Sequence, residues 1–433
     1  MAKSVPAFPA LSEALNSHHG MILESRTGPL DGQPPWCVGF VDSPLALTAA
    51  MGMVMISALN RRGQLLLDPI TRALASRPEL EAPIRGPHML TLSARRAAKD
   101  RKTDGSVGRH ARRPGPFCVL RAICDLFASP KDPFLGLYGA FGYDLGLDFA
   151  DIPLMKRRPV GHRDLVLYLP DRLLVQSPAY ETAVEICYDF ERTTGGCTSE
   201  LPREGVLAPW LPYGSDNAPG VGASSRTESW DDKSAGRYAA MVRDAQSRFE
   251  RGDLAEVAPS RLLRRPNSRA PSDLFKDLLT AEPVPYGVIA NLGHGDHLVG
   301  GSPDMFVRVK DGTVLCDSAG KQRAESLAAD QDALDVLAEQ CWAASVTGRP
   351  KREAMAHLEA AESGPRGWYG GAFGVLRFDG SLESAVTTRT FRLRDGMAEI
   401  RIGALVDPQT DPEGSEAATD QKVAAFLRVL EGS

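Results

Sequence analysis

The residues of this chain that could bind an anion lie near its C-terminal end. Tyr369 belongs to the run Gly-Trp-Tyr-Gly-Gly-Ala-Phe-Gly that begins at Gly367, and Arg389 belongs to the run Thr-Arg-Thr that begins at Thr388. The planar guanidinium group of an arginine can donate two parallel charge-assisted hydrogen bonds to a carboxylate. Taken alone, however, these residues fit more simply as an aromatic side chain at a strand edge and a surface cation.

The other reactive residues do not form a recognisable metal or nucleotide site. The seven cysteines include no Cys-x-x-Cys pair, which argues against a zinc site and a disulfide framework. His294 and His297 fall on a predicted hairpin tip and are expected to be loop residues rather than ligands. Residues 348–351 lack the Gly-x-x-x-x-Gly-Lys spacing of a phosphate-binding loop. The chain is therefore predicted to hold no metal and no cofactor.

The composition is typical of a soluble globular protein. Of 433 residues, 43% are hydrophobic and 24% are charged, and the net charge of −5 gives no attraction to nucleic acid. The first residues lack the apolar core of a signal peptide, and no apolar run reaches about 18 residues. We expect a cytoplasmic protein without a membrane span.

Two segments of biased composition divide the chain. Residues 93–113 are rich in arginine and lysine and poor in apolar residues, which predicts a mobile basic loop. Residues 191–232 are rich in glycine, proline and serine, which predicts a boundary between an N-terminal region, 1–215, and a C-terminal region, 216–433.

Hydrophobic periodicity predicts an α+β fold. Apolar residues at helical spacing predict helices over residues 116–128, 236–251 and 413–430. Alternating runs and turn signals predict antiparallel strands, including a hairpin around residues 310–312 and a late meander of strands 372–377, 385–393 and 398–406. Hairpins mixed with helices favour antiparallel sheets over a strict strand–helix alternation.

Several motifs, in the same order, resemble those of the chorismate-utilising enzymes, in particular the anthranilate synthase large subunit (component I). They are the long run from Gly367, the Leu-Glu-Ser segment ending at Ser25, Pro285-Tyr286, the Ser-Pro-Asp of residues 302–304 and the turn of residues 345–351. The resemblance implies an α+β fold of antiparallel sheets with flanking helices around a central cleft. It also implies that the Leu-Glu-Ser and Pro-Tyr segments belong to a tryptophan feedback site.

The resemblance assigns ligand-binding roles to particular residues. Tyr369 and Arg389 would hold the enolpyruvyl carboxylate of a chorismate-like ligand. The backbone N–H groups near Gly320 and Gly403 would approach the ligand, which glycine permits. Further candidate substrate-binding residues are Thr347, Arg349 and Lys351 in the turn of residues 345–351, and Lys422, which lies near the lysine of the family's last motif.

The pattern of the family breaks where it would bind magnesium. A segment with magnesium ligands, the acid/base glutamate and a catalytic histidine normally precedes the turn at Ser345, but only residues 321–344 separate Gly320 from it, so the chain is shortened near 325–335. Ser415 and Ala418 stand where the closing helix of the family carries glutamates; a two-residue shift in register would restore Glu413 and Glu416. The ordinary magnesium-dependent reaction is not expected.

Two cations in the altered region suggest a replacement for the metal. Lys321 replaces a threonine and Arg349 an alanine of the family motifs, and either could supply the counter-charge of a ring carboxylate. Lys321 could instead act as a nucleophilic amine, or both side chains could face solvent. Glu256 stands where the water-using relatives carry a lysine base, which favours an amine-using ancestry, with ammonia from a separate glutamine amidotransferase.

These observations lead to two hypotheses about function. The first is a diverged, magnesium-independent enzyme that acts on chorismate or a related carboxylated ring compound, with Lys321 and Glu256 as catalytic residues. The second is a non-catalytic homologue that binds a ligand and regulates. A conventional anthranilate synthase whose missing acids come from elsewhere is the weakest interpretation. The sequence leaves the formation of a homodimer open.

Overall fold

The computed structural model of the protein describes residues 8–26, 35–93, 115–177, 183–191, 195–203, 235–318 and 321–432. The predicted basic loop lies outside these residues except for Ser93, and so does the predicted boundary near residue 215. Among the described residues, no helix combines the length and apolar character needed to cross a membrane.

The described part of the chain forms nine α-helices. The predicted helices over residues 116–128, 236–251 and 413–430 are confirmed to within three residues at each end. In chain order the helices are α1 (Phe8–Ala14), α2 (Arg61–Ala75), α3 (Pro116–Leu126), α4 (Asp144–Phe149), α5 (Arg237–Glu250), α6 (Pro271–Ala281), α7 (Ala333–Gln340), α8 (Lys351–Ala361) and α9 (Pro412–Glu431).

The strands are short and are joined mostly by tight turns. The predicted hairpin at residues 310–312 is confirmed, with Asp311 and Gly312 both at positive φ. In chain order the strands are β1 (Gly20–Ser25), β2 (Trp36–Val41), β3 (Leu45–Ala50), β4 (Met53–Ala58), β5 (Ile84–Arg85), β6 (Met89–Ser93), β7 (Gly136–Phe141), β8 (Leu165–Leu169), β9 (Arg172–Gln176), β10 (Val184–Cys187), β11 (Glu256–Val257), β12 (Ser260–Pro266), β13 (Tyr286–Asn291), β14 (His297–Ser302), β15 (Met305–Lys310), β16 (Thr313–Ser318), β17 (Lys321–Ser326), β18 (Gly348–Arg349), β19 (Ala372–Arg377), β20 (Leu382–Val386), β21 (Arg389–Arg394) and β22 (Met397–Gly403).

Two large antiparallel sheets contain nearly all of these strands. The nine-stranded sheet has the order β10-β9-β2-β1-β13-β14-β21-β22-β12, and the eleven-stranded sheet has the order β17-β16-β15-β20-β19-β7-β8-β3-β4-β6-β5. Each sheet joins strands from both predicted regions of the chain, at the pairs β1–β13 and β7–β19. The division at residue 215 stays a prediction, but strands from both sides of it complete each sheet.

The two sheets pack face to face, with helices on their outer faces. One apolar cluster fills the space between the sheets, with Met21 and Leu23 of β1 opposite Tyr138 of β7. Ile22, between the two β1 residues, points the other way and packs with α6 and α9, because successive side chains of a strand alternate. On the far side, α2, α3 and α7 cover the eleven-stranded sheet. The predicted α+β fold of antiparallel sheets and flanking helices is confirmed.

The late meander differs from its prediction at one important place. The single strand expected over residues 385–393 is two strands, β20 in one sheet and β21 in the other. Between them, Thr387 is tied to the preceding chain by hydrogen bonds from Gly370 N to Thr387 O (2.8 Å) and from Thr387 N to Gly371 O (2.9 Å). Because the chain crosses between the sheets here, Arg389 lies at the start of β21, where the two sheets meet.

Candidate functional site

Four of the sequence-predicted residues line one pocket of about 200 Å³. Arg389 comes from the start of β21, Gly403 from the end of β22, Lys422 from α9, and Tyr369 from the turn before β19. We call this site, formed by Tyr369, Arg389, Gly403 and Lys422, the cationic pocket. Other residues that line it are Glu282, Pro303, Asp304, Ser345, Val346, Thr388, Arg401, Ile402 and Phe426.

The cationic pocket brings two positive side chains close together. The Nη1 atom of Arg389 donates to Oε2 of Glu282 at 3.2 Å, and both side chains are more than a third exposed. Lys422 Nζ lies 3.4 Å from the carbonyl oxygen of Gly403 and forms no ion pair with a carboxylate of the described chain. Burial lowers the pKa of Lys422, and repulsion from the charge of Arg389 lowers it further. An anionic ligand between the two cations would relieve this repulsion.

Tyr369 is held against both Gly403 and a buried arginine. A Cβ atom at position 403 would lie 2.4 Å from the carbonyl oxygen of Pro259 and 3.0 Å from the Tyr369 hydroxyl, so this position accommodates only glycine. On the other side, the guanidinium carbon of Arg366 lies 5.5 Å from the centre of the Tyr369 ring. Burial raises the pKa of Tyr369, which therefore stays a neutral hydrogen-bonding group near pH 7.

A buried ion network supports the cationic pocket from behind. Arg366 donates to both carboxylate oxygens of Glu362, at 2.6 and 2.9 Å, and Arg401 donates to the same carboxylate at 3.2 Å. The backbone N–H and hydroxyl of Ser260 also donate to Glu362, each at 2.8 Å. Although burial opposes ionisation, Arg366 and Arg401 lower the pKa of Glu362. This network was not predicted from the sequence, where its only signal is the four-residue spacing of Glu362 and Arg366, both just beyond the end of α8.

Glu256 and Arg349 lie together, outside the residues that line the cationic pocket. They are opposite each other in the short β11–β18 pair, and Arg349 Nε lies 3.2 Å from Glu256 Oε1. In this arrangement Arg349 is the ion-pair partner of Glu256. The predicted roles of Arg349 in binding a ligand and of Glu256 in catalysis stay predictions.

The other predicted residues of the turn at 345–351, Thr347 and Lys351, donate hydrogen bonds to backbone carbonyl groups. The Thr347 hydroxyl is buried and donates to the carbonyl oxygen of Ala343 at 2.9 Å. Lys351 Nζ donates to the carbonyl oxygen of Gln340 at 2.8 Å, and burial lowers the pKa of this lysine. Gly320 lies outside the described residues. Lys321 begins β17, opposite Ser318, and its side chain is not among those described.

Few carboxylates of the described chain reach the cationic pocket. Those that line it belong to Glu282, which is paired with Arg389, and Asp304. The glutamates of α9 turn away: Glu416 accepts hydrogen bonds from the backbone N–H groups of Gly236 (2.7 Å) and Ala239 (2.8 Å) at the start of α5. Glu413 pairs with Arg243 of α5. The two-residue register shift considered for α9 therefore brings neither glutamate to the pocket.

One group of potential metal ligands lies elsewhere in the described chain. Ligand atoms of Asp144, His162 and Asp164 lie within 4.8 Å of one another. Asp144 also receives two hydrogen bonds from Arg158, at 2.5 and 3.0 Å. With a cation already bound to its central carboxylate, this group is better explained as a buried ion network than as a metal site.

The fold is similar to that of two enzymes whose structures have been solved. It resembles the crystal structure of anthranilate synthase component I from Streptococcus pneumoniae, with a TM-score of 0.60 and 16% identity over 93% of this chain and 94% of that one. It is also similar to the menaquinone-specific isochorismate synthase MenF of Escherichia coli, with a TM-score of 0.56 and 13% identity over 99% and 92% of the two chains. At these identities the likeness establishes the fold alone.

Sequence comparison establishes the family. A model described as "chorismate binding enzyme" matches residues 94–318 and 325–428. The chain belongs to this family of chorismate binding enzymes.

The relatives include anthranilate synthases and a 2-amino-4-deoxychorismate synthase. The anthranilate synthase of Azospirillum brasilense is 34% identical over 494 aligned positions, which cover 99% of this chain and 65% of that enzyme, slightly less than two thirds of its length. Anthranilate synthase component 1 of Streptomyces coelicolor is 26% identical over 68% of this chain and 72% of its own. The 2-amino-4-deoxychorismate synthase of Streptomyces globisporus is 25% identical over 98% and 93% of the two chains.

Proposed function

We propose that this protein is an enzyme that binds chorismate, or a related carboxylated ring compound, in the cationic pocket. The observation that carries the proposal is the convergence of Arg389 and Lys422 on one pocket beside Tyr369. The Arg389–Glu282 pair is partly exposed and so contributes about 1 kcal/mol or less, which a ligand carboxylate can outcompete. Arg389 and Tyr369 would then hold the enolpyruvyl carboxylate, and Lys422 would face a second negative group.

We further propose that the reaction does not depend on magnesium. Magnesium requires several oxygen ligands in near-octahedral geometry. Of the carboxylates in the described residues, those of Glu282 and Asp304 line the pocket, which is fewer oxygen ligands than an octahedral magnesium site requires. The alignment with the Azospirillum enzyme is also longer than this chain, so that enzyme carries segments absent here. Lys321 as the replacing charge or nucleophile, with Glu256 as a catalytic partner, remains part of this proposal.

Calorimetric titration with chorismate, in magnesium and again in EDTA, tests both proposals. We expect saturable binding with the same affinity in both buffers. Arg389→Gln should weaken it at least tenfold, because a charge-assisted hydrogen bond contributes about 1.5–3 kcal/mol. Arg172→Gln, which changes an exposed arginine of β9, is the matched control. Binding only with magnesium would overturn metal independence, and no binding in either buffer would overturn the choice of ligand.

We propose that ammonia is the nucleophile of the reaction. Several relatives are named as component 1 of anthranilate synthase, a name that implies a second component. We propose that a separate glutamine amidotransferase supplies ammonia to this chain. Chorismate turnover should then depend on ammonium concentration when the chain is assayed alone. Turnover at an equal rate without ammonium would favour water as the attacking group.

A regulatory role is the second candidate, because the structure brings the two feedback-like segments together. Glu24 and Ser25 of β1 pair with Gly287 and Tyr286 of β13. Burial raises the pKa of Glu24, and Arg26 Nε lies 2.6 Å from its carboxylate. If this site senses tryptophan, L-tryptophan should raise the melting temperature of the wild-type protein and not that of Glu24→Gln. Equal shifts in both proteins would contradict it.

A further inference from the structure

A cavity of about 290 Å³, separate from the cationic pocket, lies beside the hairpin of β3 and β4. Met51, Met53 and Met55 form its apolar wall, and Arg394 and His294 also line it. We call it the methionine cavity. It shares no lining residue with the cationic pocket.

The sheet geometry explains why this cavity is open. Met53 and Met55 point to the same side of β4, because side chains of a strand alternate. Their partners across the hairpin are Ala50 and Thr48, whose side chains are small. Two long thioether chains beside two short side chains leave space that no other described side chain fills.

The backbone conformation of one wall residue, Met51, carries a cost, because methionine adopts positive φ more rarely than aspartate or histidine. Six non-glycine residues of the described chain have positive φ, and four of them are aspartates, which tolerate this conformation. The other two are Met51 (φ 48°) and His294 (φ 56°), and both line the methionine cavity. Met51 is also 56% exposed. A hairpin turn favours asparagine, aspartate or glycine at such positions, so turn formation alone does not explain the methionine.

Of the three arginines that line the methionine cavity, Arg394 is the one best able to bind the carboxylate of a ligand. Arg158 is bound to Asp144 and Glu359, and Arg163 donates to Asp296 at 2.8 Å. Arg394 Nη2 donates to the carbonyl oxygen of Val160 at 3.2 Å, whereas its Nε makes no hydrogen bond to a described residue and lies 3.4 Å from the largely exposed carboxylate of Asp395.

His294 adds a neutral hydrogen-bonding group beside Arg394. Burial and the charges of Arg163 and Arg394 lower the pKa of His294 to about 4. A neutral imidazole can donate one N–H to a carboxylate without bringing a further charge.

We propose that the methionine cavity binds a small aromatic carboxylate, whose ring packs on the three methionines and whose carboxylate is held by Arg394. The thioether sulfur atoms of methionine make favourable contacts with aromatic rings and adapt to their shape. An apolar wall with one or two convergent polar groups is the usual composition of a small-molecule site. The volume of the methionine cavity suits a ligand of one or two rings.

A titration with 2-naphthoate, followed by its fluorescence, tests this proposal on the full chain. We expect saturable 1:1 binding, weakened roughly tenfold or more by Arg394→Gln. The neutral analogue 2-naphthamide should bind wild type and Arg394→Gln equally. Arg172→Gln, which changes an exposed arginine of β9 outside both sets of lining residues, is the matched control and should leave naphthoate affinity unchanged.

NMR locates the bound naphthoate without relying on the Arg394 variant. In protein labelled at its methionine methyl groups, naphthoate should shift the signals of Met51, Met53 and Met55 through the ring current, whether or not the Arg394 variant folds. Shifts confined to other methionines, or affinity lost in Arg389→Gln and retained in Arg394→Gln, would overturn the proposal. Chorismate binding is measured separately, so failure here leaves the proposed function untouched.

Discussion

The hydroxyl group of Tyr369 occupies the space beside Gly403 that a side chain at position 403 would need. The distance from the hydroxyl to an ideal Cβ atom there is 3.0 Å, and the carbonyl oxygen of Pro259 is closer still, at 2.4 Å. The close approach of β22 to Tyr369 therefore depends on glycine, and it fixes one wall of the cationic pocket.

Gly403→Ala should displace Tyr369 and weaken ligand binding. Overpacking of a closely packed site costs about 1–3 kcal/mol, so we expect roughly a tenfold or greater loss of chorismate affinity in calorimetry. Gly86→Ala is the control, because its Cβ would meet only Met89, at 3.2 Å from a flexible side-chain atom. Equal affinity in wild type and Gly403→Ala would contradict the placement of the ligand beside Tyr369.

The sequence predicted local elements better than their arrangement. Periodicity identified α5 and α9, and the Asp311-Gly312 turn identified a hairpin, because these depend on neighbouring residues. The order of strands in each sheet depends on contacts between distant residues, and no local pattern reveals it. The crossing at Thr387 was missed for this reason, since residues 385–393 alternate like one continuous strand.

The site was predicted in part, and mainly through family resemblance. Tyr369, Arg389, Gly403 and Lys422 do line one pocket, although they come from four separate elements. Glu362 and Arg366 were missed, because a charged pair near a helix end is usually a solvated surface feature. Only the hydrogen bonds of Glu362 with Ser260 of β12 and Arg401 of β22 make the pair a buried support of Tyr369.

Lys422 should make anion binding weaken as the pH rises, beginning below the ordinary pKa of a lysine. Its pKa is lowered by burial and by Arg389, so its charge is lost below the ordinary pKa of 10.5. Chorismate affinity should fall as the pH rises through this lowered pKa. In Lys422→Met the affinity should be weaker at pH 7, by about 1.5–3 kcal/mol, and nearly constant up to pH 9.5. Parallel pH profiles of the two proteins would exclude Lys422 as a ligand-binding cation.

Removing the charge of Glu362 should destabilise the whole protein. Glu362→Gln would leave the buried Arg366 and Arg401 without their counter-charge, which costs about 3–5 kcal/mol in such networks. Glu185→Gln removes the exposed Arg172–Glu185 pair and should cost about 1 kcal/mol or less. Urea unfolding of both variants measures the difference. Similar midpoints would show that the Glu362 network contributes little to stability.

His162 should make the protein lose stability in mildly alkaline solution. Its Nε2 atom lies 3.0 Å from Asp144 and 3.1 Å from Asp164. Burial alone would lower the pKa of His162, but hydrogen bonds with Asp144 and Asp164 outweigh it and raise this pKa to about 9. Because the folded-state pKa exceeds the unfolded value of 6.5, the stabilisation is complete below pH 6.5 and is lost as the pH rises through 9.

The free energy of unfolding should therefore fall by up to about 3 kcal/mol between pH 6.5 and 9.5, at about 1.4 kcal/mol for each unit of pKa shift. His162→Gln should be less stable than wild type at pH 6.5, and its stability should change less over this range, because glutamine does not titrate. Comparing the two slopes by urea unfolding separates His162 from every other group that titrates in the window. If both proteins lose stability equally, His162 is not protonated in the folded protein, and Asp144 is held by Arg158 alone.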